Sequence, residues 1–260
     1  GAINFTPVTT GANGSFFYDP DQNCIECFRL THQPSPWVGD YGHIAFLPQT
    51  FNDHKIEEHL RWTSFEPKSL IMQPDFYSVY LRRYKIEFQA APVMNGFRFL
   101  IKYPNERKSV LTIFNYTQDY KVEIIDKRTI TGYTNSKNRW NFDNITEYFY
   151  IKFDVEIAYF EIKDTVAHIY FEQSIINVDI ALSYISLEQA EYNYTVQLKG
   201  LSIEGIRKKA EEKWEEKLGL IETECDEETK KTFYSCLYRT FLFPRRLSEI
   251  DQNNNEIYKM

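Results

Sequence analysis

The stretch Thr31-His-Gln-Pro-Ser-Pro-Trp-Val-Gly-Asp-Tyr-Gly42 gathers a histidine, a glutamine, an indole and a carboxylate in one short polar segment. Pro34 and Pro36 each lack a donor and fix φ, so the segment fits neither a sheet ladder nor a helix. It reads as a stiff loop presenting His32, Gln33, Trp37 and Asp40. A rigid indole beside hydrogen-bonding groups suits a sugar ring, with its apolar C–H faces and rim of hydroxyls. The plainer alternative is that Trp37 plugs one end of the core and His32 caps a turn.

Other chemistries find less support. An inverting glycosidase needs two carboxyl groups about 6.5–9.5 Å apart, one with its pKa raised. Of the 37 Asp and Glu, Glu211, Glu212, Glu215, Glu216, Glu224, Asp226, Glu227 and Glu228 read as solvated helix faces and caps. Glu87, Glu123, Glu156 and Glu161 read as the outward side of strands. Asp19 and Asp21 flank Pro20 in a turn. Asp40 alone lies in an unusual loop. The five histidines show no metal spacing. Cys24 and Cys27 form a lone C-x-x-C, and Cys225 and Cys236 lie on predicted helices, so the four cysteines read as ordinary free thiols. No nucleophile elbow, P-loop or dinucleotide fingerprint is present.

The elements that position the loop are mostly strands. The 260 residues can hold one large or two small domains. They are 17% aromatic, with 19 Tyr and 20 Phe, which favours strands. Residues 1–75 are loop-rich, with short strands at Cys27–Leu30 and His43–Leu47. Ser78–Phe88 alternates apolar and polar residues except at Arg82-Arg83, read as a bulge. Further strands are predicted at Gly96–Ile101, Ser109–Tyr116, Lys121–Asp126, Lys127–Asn135, Tyr148–Phe153, Val155–Lys163, Ala167–Phe171, Ile175–Ser183 and Tyr192–Leu198. The pattern is mainly β, an antiparallel β-sandwich. After Gly200 the period changes. Ser202 caps a helix with Ile203, Ile206, Ala210, Trp214 and Leu218 on one face, and Asp226 caps a second carrying Phe233, Leu237 and Phe241. The net charge of −7 argues against a nucleic-acid partner, and no apolar run is long enough for a membrane span.

Four blocks resemble one known family in its own order: Asn4-Phe-Thr-Pro-Val-Thr-Thr10, the loop Thr31–Gly42, Tyr184-Ile-Ser-Leu-Glu-Gln-Ala190 and Thr232-Phe-Tyr-Ser-Cys-Leu-Tyr-Arg-Thr-Phe-Leu-Phe-Pro244. The family is glycoside hydrolase family 92, the calcium-dependent exo-α-mannosidases. The resemblance implies an N-terminal, supersandwich-like domain over 1–200, then a linker of two α-helices over 201–260 leading to an (α/α)6 barrel. In that family the general acid, general base and calcium ligands follow the linker, and a further segment precedes the first block. The expectation is therefore one domain of an inverting α-mannosidase acting on substrates such as α-1,2-mannose caps. It would lend a substrate loop but be inactive alone and bind no metal itself. As substrate-binding residues, Trp37 would supply an apolar wall for the sugar, His32 and Gln33 would supply hydrogen bonds or hold the loop, and Asp40 would pair with a sugar hydroxyl or with the loop's own backbone. Its partners would be a mannose-containing glycan and the barrel, with self-association through the C-terminal helices in the barrel's absence. The alternatives are a free-standing carbohydrate-binding module, which has no use for Ile203–Pro244, and a ligand-free scaffold, which has no use for the loop. The compartment stays open between secreted, cell-surface or periplasmic, and cytoplasmic.

Overall fold

The computed structural model describes residues 3–9, 18–19, 21–32, 44–51, 58–115, 119–136, 145–163, 166–242, 246 and 248–258. Among them two antiparallel sheets face each other. Sheet A runs in the order β1 (Asn4–Thr9), β2 (Cys24–Thr31), β3 (Ile44–Thr50), β9 (Ser109–Asn115), β14 (Val166–Phe171) and β13 (Tyr159–Lys163), with β4 (Thr63–Ser64) paired to β2. Sheet B runs β10 (Tyr120–Asp126), β11 (Thr129–Ser136), β12 (Ile145–Phe153), β15 (Ile175–Ser183), β8 (Gly96–Lys102), β7 (Ile86–Val93), β6 (Tyr77–Leu81) and β5 (Ile71–Met72).

The abundance of Phe is explained by the core. Phe28 of sheet A stacks on Phe88 of sheet B with centroids 4.0 Å apart. Phe46 meets Phe99 at 5.5 Å, and Phe171 meets Phe153 at 5.0 Å. These rungs tie the sheets together along their length, each aromatic pair adding about 0.5–1.5 kcal/mol beyond its buried area. Sheet A is buried on its outer face as well in β3 and β9. There Thr112 Oγ1 lies 2.9 Å from His168 Nδ1 and donates to Gln49 Oε1, Gln49 Nε2 donates to the Tyr84 hydroxyl, and Tyr84 donates to the Arg61 carbonyl. Arg61, at the end of α1 (Glu58–Arg61), lies 3.8 Å over the Phe114 ring.

Three helices follow the sandwich strands. The expected strand at Tyr192–Leu198 is instead the end of α2 (Leu187–Gln197). Tyr192, Tyr194, Val196 and Leu198 do alternate, but Ser186 accepts a hydrogen bond from the Gln189 amide and nucleates a helix. Ser186-Leu-Glu-Gln189 has the capping-box spacing. The face α2 buries is Gln189, Ala190 and Asn193, too polar to produce an apolar period. The Arg82-Arg83 step is a turn rather than a bulge: β6 stops at Leu81, β7 starts at Ile86, and Lys85 takes φ 54° to close the hairpin.

Both predicted caps hold. Ser202 caps α3 (Ile203–Leu218), and Asp226 caps α4 (Glu227–Thr240) through the Glu228 and Thr229 amides. Helix α3 buries Ile203 and Ile206. It is clamped to sheet B by Arg207, which donates to Asp75 Oδ2 at 3.0 Å and lies 4.4 Å over Phe76. Helix α4 buries no residue and meets α3 through Trp214 and Tyr238 at 4.9 Å. A groove of about 1540 Å³ runs between the helices and the β1 side of the sandwich, lined by Phe5, Tyr77, Phe97, Trp214, Tyr238 and Phe241 among others. The chain then returns as a hairpin of β16 (Ser248–Ile250) and β17 (Glu256–Tyr258).

Candidate functional site

Of the four expected site residues, His32 is described; Gln33, Trp37 and Asp40 lie outside the described residues. His32 immediately follows β2 and is 1% exposed. Its ring stands edge-on to Tyr184, 5.4 Å between centroids and 88° between planes. Its Nε2 lies 3.4 Å from the Arg246 carbonyl, so that nitrogen can only donate there. The histidine is thus packed at the end of β2 rather than facing solvent.

Around Tyr184 two buried carboxylates meet. The Tyr184 hydroxyl donates to Glu147 Oε1 at 3.1 Å. Its backbone amide donates to Glu249 Oε1 at 2.8 Å, and Ser183 Oγ donates to the same oxygen at 3.0 Å. Asn193 Nδ2 donates to Glu249 Oε2 at 2.7 Å and to the Leu182 carbonyl at 2.9 Å. Gln189 Nε2 donates to Asn193 Oδ1 and to the Ile250 carbonyl. Helix α2, the end of β15 and the returning hairpin are therefore locked at one point beside His32. Burial pushes the Glu249 carboxyl above its ordinary value, and the hydrogen bonds from Asn193, Tyr184 and Ser183 oppose that shift.

A pair of carboxylates invites comparison with an acid and base. A general acid or base must come within hydrogen-bond reach of the substrate proton. Glu147 is 0% exposed and Glu249 5%, and the partners named above belong to the protein itself. The arrangement positions; it does not present a proton to a ligand.

These residues escaped the sequence reading for different reasons. Glu147 had a signal: it is in phase with Phe149, Ile151 and Phe153, all buried on the inward face of β12. Period two alone assigns it to the core. Glu249 had none, because three residues of strand carry no period and its partners are 56 or more positions away. The carboxylates expected to be solvated, including Glu87, Glu123, Glu156 and Glu161, are exposed. A further buried acid, Asp179, pairs with Arg98 through two bonds of 2.6 Å. The four cysteines are free thiols, Cys27 buried and Cys225 and Cys236 exposed.

The fold defines the class first: an antiparallel β-sandwich domain with a histidine–tyrosine–carboxylate node at the end of β2, extended by helices. The chain belongs to glycosyl hydrolase family 92. Residues 1–198 match the N-terminal domain of that family, and residues 189–260 match its catalytic domain. An inverting mannosidase of family GH92 from Bacteroides thetaiotaomicron VPI-5482 superposes with a TM-score of 0.91 at 29% identity, over 99% of this chain and 37% of that one. An α-mannosidase of the same family from that organism, solved with mannoimidazole, gives a TM-score of 0.83 at 21% identity over 100% of this chain and 40% of that one. The chain thus spans less than half the length of these relatives. Among curated proteins none matches.

Proposed function

We propose that residues 1–200 are the N-terminal domain of an exo-acting, inverting α-mannosidase and that 201–260 are the helical linker into its (α/α)6 barrel. The observation that carries this is the family match across both segments, joined to the superposition on an inverting mannosidase. The match continuing through 189–260 favours a linker over a free-standing binding module.

In this reading the sandwich binds and orients, and the barrel supplies the acid and the base. Inversion needs one carboxylic acid to protonate the leaving oxygen while a carboxylate activates water on the opposite face of the ring. His32, held under Tyr184, fixes the point from which the loop departs. Trp37 then offers its face to the apolar side of the sugar, while Gln33 and Asp40 bond its hydroxyls. The substrate is an α-mannoside such as an α-1,2-linked mannose cap. Calcium, the family's metal, would supply Lewis-acid polarisation when bound. Its ligands, in this proposal, lie in the barrel.

The test is turnover of an aryl α-mannoside with calcium present, by residues 1–260 alone and by the polypeptide extended through a barrel. Only the longer form should turn over, and Trp37→Ala in it should raise KM more than it lowers kcat. Turnover by residues 1–260 that disappears when one of their own carboxylates is replaced would overturn the proposal.

A further inference from the structure

Exposed apolar side chains gather in the groove between the sandwich and helices α3 and α4. Met72, Val196, Leu220 and Phe241 all line it. Its charged lining is one-sided. Lys209, Lys213 and Lys217 of α3 and Lys230, Lys231 and Arg239 of α4 border it, against Glu216 and Glu227. Those two acids already pair with Lys217 at 3.2 Å and Lys230 at 3.9 Å. Lys209, Lys213, Lys231 and Arg239 make no ion pair among the described residues. Glu211, Glu212 and Glu215 lie elsewhere on α3, outside the groove. The segments outside the described residues that adjoin its walls in sequence, 1–2 and 10–17 beside β1 and 243–245 after α4, contain no acidic residue. A chain of net charge −7 thus carries a local excess of four positive charges around an apolar floor.

We propose that this groove seats an amphipathic helix whose apolar stripe is flanked by acidic side chains, and that the helix belongs to the catalytic part of the same enzyme. The size fits. A helix of about 14 residues is about 21 Å long and about 10 Å across, and fills about 1600 Å³; the groove holds about 1540 Å³. One of its walls, α4, is itself 14 residues long and buries none of them. The chemistry fits as well. A helix laid in a groove buries a stripe at three- and four-residue steps, here against Leu220 and Phe241, and carboxylates on its flanks meet the unpaired lysines. A nucleic acid or a sulfated polymer would have to lay a charged backbone on that apolar floor. A second copy presenting the same groove would set like charges against each other. The source follows from the position. Helices α3 and α4 fall in the segment that matches the family's catalytic domain, and β1, β7 and β8 in the segment that matches its N-terminal domain, so the groove lies at the junction of the two. The source rests on the function proposed above; the shape and charge of the occupant rest on the groove alone.

The experiment has two arms. In the first, calorimetry follows the binding to residues 1–260 of two synthetic helical peptides of about 14 residues, alike in their leucine stripe, one flanked by glutamates and the other by lysines. The glutamate peptide should bind and the lysine peptide should not. Lys213→Glu/Lys231→Glu should weaken binding about tenfold, and high salt should weaken it too. Both lysines are exposed, and circular dichroism checks that the variant keeps its helices. In the second arm, acrylamide quenching of Trp214, which lines the groove, is read as the difference between the wild type and Trp214→Phe. Trp214 should be shielded in the polypeptide extended through a barrel and open in residues 1–260, and the charge reversal should open it in the longer form. Shielding of Trp214 without mannoside turnover would sink the mannosidase reading and leave this one standing. Equal binding of the two peptides, binding of neither, binding unmoved by the charge reversal, or equal quenching in the two lengths would overturn the proposal.

Discussion

Replacing Glu249 by alanine separates the worth of the node from the worth of its charge. The substitution removes the acceptor of three donors, at 3.0 Å from Ser183 Oγ, 2.8 Å from the Tyr184 amide and 2.7 Å from Asn193. Asn193 keeps the Leu182 carbonyl, and Ser183 Oγ still accepts from the Ile185 amide. The Tyr184 amide loses its acceptor at a part-buried site, which costs about 1–3 kcal/mol. With the net loss of the other two bonds the total is about 2–4 kcal/mol, or roughly 5–15 °C in Tm for a chain of this size. The pH dependence is the sharper test. The folded protein holds the Glu249 carboxyl above its ordinary value of 4.5, so the folded state binds this proton more tightly than the unfolded one. Its contribution is fully present below pH 4.5 and is lost as pH rises through the raised value. Glu249→Ala lacks that dependence. Denaturant melts of both proteins across acidic to neutral pH should show the gap widest at low pH and narrowing towards neutrality. A gap that widens with pH would mean the ionised form is the one the fold stabilises, and would refute the argument that burial dominates at this residue.

Two further outcomes are expected. Arg98→Ala leaves Asp179 buried without the guanidinium that holds it, with the pair's side chains now 11% and 9% exposed; this should cost about 3–5 kcal/mol in chemical denaturation, and the double variant Arg98→Met/Asp179→Leu should recover most of it. Residues 1–260 should self-associate through the apolar side of α4, where Phe241 is 39% exposed and no residue is buried; Phe233→Ser/Phe241→Ser should return the monomer in light scattering while the sandwich melts unchanged, each uncovered large side chain otherwise forgoing about 1.5–3 kcal/mol.

What could be read from the residues beforehand follows from where periodicity survives. The long strands Ile175–Ser183 and Gly96–Lys102 and the capped helices α3 and α4 each carry a local signal that the tertiary structure reinforces. Helix α2 does not, because its buried face is Gln189, Ala190 and Asn193. Its identity was written in the cap at Ser186 instead. Strand β1 was hidden in a loop-rich region: it holds Pro7 and occupies the sheet edge, where a proline's missing donor costs nothing. Of the site, the loop chemistry singled out His32, with binding a hydroxyl and holding the loop as its two readings. A histidine that packs against Tyr184 and faces the Arg246 carbonyl, 214 positions away in sequence, depends on contacts no local window contains.

The returning hairpin gives the chain a second attachment. The covalent path from Ser183 to Glu249 spans 66 positions and passes through the exposed turn around Leu220 and Ile221, which are 69% and 47% exposed. Both ends of that path are tied to the same corner of the sandwich, one by the backbone and one by the Glu249 carboxylate. A single protease nick at the turn would therefore sever the polypeptide without releasing the far piece. The two portions would behave as a split protein, held by a side-chain latch. Their reassembly from separately produced halves would report the latch's strength against a bimolecular association cost, whereas in the intact chain the same latch meets only a loop-closure cost of about 4 kcal/mol.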